Sequence, residues 1–171
     1  MTPERLLLTL ATFAFCGGVY LLMWRGWRSR QRRQSDLPPP PRPPEVPGQV
    51  VLGAVPGLFV GTTYEGDWLD RVAVHGLAHR AAGWFSLTTD GVLLEREGAP
   101  DLYLPYSVVT DVEVGDALAG KVIGRGGMVL LTWRLGASTL LSGFRADDHS
   151  THPRLADAVR AHLEVQEAPE R

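Results

Sequence analysis

Nineteen consecutive residues without a formal charge, LLLTLATFAFCGGVYLLMW at positions 6–24, run directly into five Arg within nine residues, RGWRSRQRR. As a helix rising about 1.5 Å per residue, the run measures about 29 Å, which matches the ~30 Å hydrocarbon core of a bilayer. A cleaved signal peptide carries its positive charge before the apolar core and a small-residue site after it; here the charge follows the core and no A-x-A-like site is present. A lipoprotein signal requires small residues just before the cysteine, whereas Cys16 follows Phe13, Ala14 and Phe15. A buried helix of a soluble domain has no reason to end in such a flank. The sequence therefore predicts an uncleaved single-pass anchor. Arg25, Arg28, Arg30, Arg32 and Arg33 set its orientation and meet the membrane lipid. Positive flanks stay on the cytoplasmic side, so residues 1–5 are expected outside and everything after residue 24 inside. Tyr20, Trp24 and Trp27 suit the aromatic belt at that face.

The formal charge of the 171 residues, -2, hides two opposite parts. Residues 1–48 hold seven Arg against three acidic residues, a net +4, and residues 49–171 hold ten basic against sixteen acidic residues, a net -6. An acidic domain behind a basic anchor argues against nucleic acid as a partner and against a role for the domain on an anionic leaflet. One cysteine excludes an internal disulfide framework and any zinc site built on several thiolates.

Residues 25–34 form an Arg-rich juxtamembrane segment, and residues 35–48, SDLPPPPRPPEVPG, hold seven prolines. Such a stretch lacks many backbone donors and favours extended polyproline II, a stiff spacer of roughly 40 Å. PPPPRPP also contains the PxxP pattern of a peptide ligand, though the spacer role is sufficient. From residue 49 to 165 the pattern becomes that of a domain, with 166–171 as a tail. Apolar β-rich runs at 58–64, 84–89, 92–95, 102–106, 108–114, 128–135 and 139–145 are separated by turn signals, among them Asp90-Gly91 and Gly136-Ala137-Ser138. Strands at this spacing predict a mainly β, antiparallel barrel or sandwich of about seven strands. Then the period changes. Leu155, Val159 and Leu163 recur at i, i+4 and i+8, Pro153 suits a first turn, and Ser150 or Thr151 can cap it, which predicts one amphipathic helix packed on the barrel.

A curved antiparallel barrel closed by a C-terminal helix resembles the pleckstrin-homology (PH) superfold, and LYLPYSVVTDVEV is similar to a strand phrase of bacterial PH-like domains. More narrowly, FVGTTYEGDWLDRVAVHGLAHRA resembles the signature of an actinobacterial family of single-pass membrane proteins with a PH-like domain. Members of that family are encoded among pyrimidine-biosynthesis genes and have been loosely labelled export or transporter-like proteins. The resemblance covers nearly the whole chain and implies a bacterial plasma-membrane protein without established catalytic residues. The chain departs from the pattern at Ala78, where HGLG would place a glycine.

Residues 66–80, GDWLDRVAVHGLAHR, are the richest in chemistry. Asp67, Asp70, His75 and His79 are ligand types, and His75 and His79 stand four apart, which on a helix would bring two imidazoles to one metal. Gly76 intervenes and HExxH is absent, so the plainer expectation is local capping by the polar residues, with Trp68, Val72, Val74 and Leu77 on the barrel. The stretch is longer than a hairpin needs, which makes Asp67, Trp68, Asp70, Arg71 and His75 the candidate contacts for a protein partner. His149, His152 and His162 are expected at the surface near the C-terminal helix. The loop GKVIGRGG at 120–127 lacks the G-x-x-x-x-G-K-[ST] order and precedes a strand, so it reads as a connection rather than a phosphate cradle. No G-x-S-x-G occurs, and no cofactor motif. The expected function is a tethered, non-enzymatic interaction or scaffold module. The alternatives are an accessory subunit of a transport or export system and a metal or enzymatic domain centred on 67–79.

Overall fold

The computed structural model describes residues 3–45, 48–115, 117–118, 121–122 and 127–167, with the side chains of Leu6, Arg30, Trp68, Leu69, Ala117, Lys121, Val122 and Glu167 left aside. The chain divides into two compact units, Met1–Asp36 and Leu37–Arg171. The first is a single helix, α1 (Pro3–Arg33), long and apolar enough to cross a membrane. Many of its apolar side chains are bare: Leu7, Phe13, Phe15 and Leu22 are each more than two-thirds exposed. A surface of that kind has no place in water, and the hydrocarbon of a bilayer would satisfy it.

Among the described residues the second unit carries ten strands. They are β1 (Val50–Tyr64), β2 (Asp67–Arg71), β3 (Ala81–Thr88), β4 (Gly91–Arg96), β5 (Leu102–Pro105), β6 (Val109–Gly115), β7 (Ala117–Leu118), β8 (Lys121–Val122), β9 (Met128–Leu135) and β10 (Ser138–Ala146). Seven form the antiparallel order β5-β4-β3-β1-β10-β9-β6, with β2 added to β1; β7 and β8 make a separate hairpin. The expected mainly β architecture is thus present, and β1 is the strand that curves it. Residues 50–59 pair with β3 while residues 57–64 pair with β10, and a bulge between Phe59 and Gly61 turns the strand from one partner to the other. The core holds Phe59, Phe85, Phe144, Leu131 and Trp133, each at most 1% exposed. Trp133 Nε1 donates to Ser142 Oγ, which is itself bonded to Thr62 Oγ1, so the buried indole is satisfied.

Three local features differ from the sequence expectation. The Asp90-Gly91 turn owes its shape to Thr88, whose Oγ1 accepts from the Asp90 and Gly91 amides. Gly91 is needed for space instead, because a Cβ there would stand 2.5 Å from Leu104 O on β5. The C-terminal helix α2 (His152–Glu167) follows a 3-10 turn capped by Asp148, not by Ser150 or Thr151; Asp148 accepts from both the amide and the hydroxyl of Ser150. His152, expected at the surface, is fully buried, and its Nε2 accepts from the Ala146 amide at 2.9 Å. A backbone N–H can only donate, so this nitrogen carries no hydrogen.

The α2 stripe is as its period foretold. Leu155, Ala156 and Val159 are buried in the core, with Leu163 packed against it. Each large side chain contributes about 1.5–3 kcal/mol on burial. The Pro-rich region also joins the barrel at its start. Leu37 is 7% exposed within the core, and the compact unit begins there.

Candidate functional site

Residues 65–80 fall into two halves. The first is a hairpin in which β1 turns back into β2 at Glu65 and Gly66; Gly66 takes φ 81, which an L side chain rarely adopts. Glu65, Gly66 and Asp67 are exposed and Asp70 is half-buried. The register slips between Thr63↔Arg71 and Tyr64↔Asp67, which leaves residues 68–70 as a bulge, and the Asp67 carboxylate accepts from the Asp70 amide at 3.2 Å. The Tyr64 phenol is pushed above its ordinary pKa, first by burial and then by the charge of Asp70. The result is an open tip of three carboxylates, Glu65, Asp67 and Asp70. The side chain of Trp68 lies outside the described residues.

The second half, residues 72–80, is a loop that covers the core. Val72 and Leu77 are fully buried and Ala73 nearly so. The Val72 amide donates to Thr62 O and the Thr62 amide to Leu77 O, so the loop is stitched to β1. Arg71 Nη1 reaches the Ala78 carbonyl at 3.3 Å. His75 is the non-glycine residue with positive φ among those described, at 55°, followed by Gly76 at 69°. Its Nε2 lies 2.8 Å from Leu37 O, and since a carbonyl can only accept, Nε2 is the donor. The strained turn therefore lies at His75 and Gly76, and Ala78 needs no glycine.

Of the five predicted contacts, then, Asp67 and Asp70 stand on the open tip, whereas Arg71 and His75 are engaged within the fold. His75 and His79 lie in a turn, so the helical argument for a shared metal does not apply. Among the described residues no group of three or more His, Cys, Asp or Glu side chains could hold a metal ion.

One residue that builds this region gave no signal in the sequence. Arg96, at the end of β4, is 5% exposed. Its Nη1 donates to Gly76 O at 2.9 Å, its Nε to Pro100 O at 2.8 Å, and its Nη2 also to Pro100 O. The guanidinium lies 4.7 Å over the Phe59 ring. Burial pulls its pKa down, and Asp101 pushes it back up. A single Arg in a strand gives no sign of which loop it will hold.

The Gly-rich connection is partly outside the described residues, at 119–120 and 123–126. The β7–β8 hairpin that it joins seats Leu118, fully buried, against Val60, Met128 and Leu130 on the outer side of the sheet. Gly143 makes room for it, since a Cβ there would be 2.5 Å from Leu118 Cδ2.

A bent antiparallel barrel with a C-terminal helix packed across it defines a PH-like domain. Residues 37–160 match the family described as bacterial PH domain-like, and the chain belongs to that family. No curated protein matches the chain. Among solved structures it is similar to the C-terminal domain of an unknown protein from Leishmania infantum, at 12% identity and a TM-score of 0.41, over 67% of this chain and 85% of that one. PH-like domains commonly mediate protein or lipid interaction and are generally not enzymes.

Proposed function

We propose that this chain is a membrane-tethered interaction module of a bacterial plasma membrane, in which α1 is the anchor and the PH-like domain, on the cytoplasmic side, binds a protein partner without catalysis. The supporting observation is the division of residues 65–80. The loop half is committed to the barrel, while the hairpin tip carries three carboxylates close together, with Glu65 and Asp67 exposed. A PH-like domain that binds an anionic headgroup through its first hairpin needs basic residues there, and this hairpin carries Glu65, Asp67 and Asp70. The tip suits a basic protein segment instead, and net -6 over residues 49–171 favours the approach of such a partner. Arg25 to Arg33 orient the anchor in this reading, as the positive-inside rule requires. The family resemblance to actinobacterial single-pass proteins supports the same arrangement.

The test is crosslinking in native membranes. Asp67→Asn with Asp70→Asn should lower recovery of the crosslinked partner by roughly tenfold while leaving the folded domain intact, since surface substitutions usually change stability by less than about 0.5 kcal/mol. Undiminished recovery would sink this assignment of the surface.

A further inference from the structure

The last two turns of α1 place a second kind of chemistry on one helix face. Taking 3.6 residues per turn, Arg25, Arg28, Ser29 and Arg32 fall within an arc of about 100°, whereas Arg30 is turned about 140° from Arg25. Trp24, Arg25, Arg28, Ser29 and Arg32 border an open groove between side chains on this one helix face. The Arg28 guanidinium lies 4.3 Å over the Trp24 ring. That stacking holds the planar group while leaving its in-plane N–H donors free to point outward, the geometry that recognises phosphate oxygens in pairs. No Asp or Glu occurs between Glu4 and Asp36, so nothing on the helix itself neutralises these charges.

Depth gives the occupant. If the apolar run ends at Trp24, Arg25 stands about 1.5 Å, Arg28 about 6 Å and Arg32 about 12 Å beyond the hydrocarbon boundary. The interfacial layer on each side of a bilayer is roughly 5–8 Å thick, so Arg25 and Arg28 bracket the level of the lipid phosphates, and Arg32 starts about 4–7 Å outside the layer, from where its long side chain can reach back to a headgroup. We propose that this face is a binding site for one anionic glycerophospholipid, its phosphodiester held by Arg25 and Arg28 and its headgroup by Ser29 and Arg32. The proposal rests on the reading of α1 as an anchor.

The experiment uses the full chain in nanodiscs of phosphatidylcholine mixed with phosphatidylglycerol, released into detergent and weighed with its retained lipid by native mass spectrometry. Phosphatidylglycerol should be retained over phosphatidylcholine by roughly tenfold relative to its share of the bilayer, on the scale of about fivefold per arginine. Arg25→Gln with Arg28→Gln should abolish the preference. Arg30→Gln with Arg33→Gln removes the same charge from positions about 140° and 80° round the helix from Arg25, outside the proposed arc, and should keep it. Equal loss in both double variants, or no enrichment in the unaltered chain, overturns the site in favour of diffuse attraction. Flotation with vesicles of phosphatidylcholine alone, after a carbonate wash, tests the anchor separately. A chain that floats without enrichment loses only the lipid site, and one that does not float loses both.

Discussion

The barrel is covered in two places, by the loop at residues 72–80 and by α2, and the two closures rest on different chemistry. A helix satisfies its own backbone, so α2 needs only to bury a stripe. Leu155, Ala156 and Val159 do so, and two polar contacts finish the joint: the Ala146 amide to His152, and Arg160 Nη2 to the Val112 carbonyl on the edge strand β6. A loop has no such internal ladder, and each carbonyl that it buries must find a donor elsewhere. Here Arg96 and Arg71 supply the donors for Gly76 and Ala78, and the Thr62 amide supplies the one for Leu77. Both closures bury apolar side chains, Val72 and Leu77 in the loop as well as the α2 stripe; they differ in that the helix satisfies its own backbone and the loop imports donors.

Substitutions can break that contrast or sharpen it. Leu155→Ala should cost about 3 kcal/mol in urea unfolding followed by tryptophan fluorescence, the range for a large side chain lost from a core. Arg96→Met should cost about 2–3 kcal/mol by the same measure, because two carbonyls lose a charged donor. Its signature is different: hydrogen exchange should accelerate at the Val72 and Leu77 amides before those of α2. Equal acceleration in both places would show that the two closures are one cooperative unit. His152→Leu should cost about 1–2 kcal/mol by leaving the Ala146 amide buried without an acceptor, and His152→Gln, which keeps an acceptor, should recover part of it.

Tyr106 provides a probe of the α2 side through pH. Its hydroxyl donates to Thr88 O at 3.1 Å, and its ring stacks on His162 with centroids 5.0 Å apart. Burial, with smaller contributions from Tyr103 and Asp90, raises its pKa from 10.0 to about 12. The folded state therefore holds this proton more tightly than the unfolded chain. The stability it contributes is complete below pH 10 and is lost as pH rises from 10 to about 12. Unfolding midpoints measured across that window should fall, and Tyr106→Phe should flatten the slope.

The two closures were not equally legible. The stripe of α2 shows in the sequence because a helix repeats every 3.6 residues and its burial follows its own period. The β runs show for the same reason, through alternation and turn residues. For the candidate site, the sequence marks residues 66–80 as a polar stretch longer than a hairpin needs, but not its division into a hairpin with an exposed Asp67 and a loop bonded to the barrel. Arg71 and His75 carry the same polar signal, yet each bonds a backbone carbonyl of the domain, Ala78 and Leu37 respectively. Arg96 was invisible because its partners, Gly76 and Pro100, are backbone carbonyls, which have no residue type to announce them.

The sequence by itself determined the apolar helix and its basic flank, the strand runs, the C-terminal helix and the opposite charges of the two parts, since these follow from local composition and period. Tertiary structure decided which polar residues hold the loop at 72–80. That choice depends on which buried carbonyls need a donor, and the need arises only once β1 has bent and brought residues 72–80, Leu37 and Arg96 together.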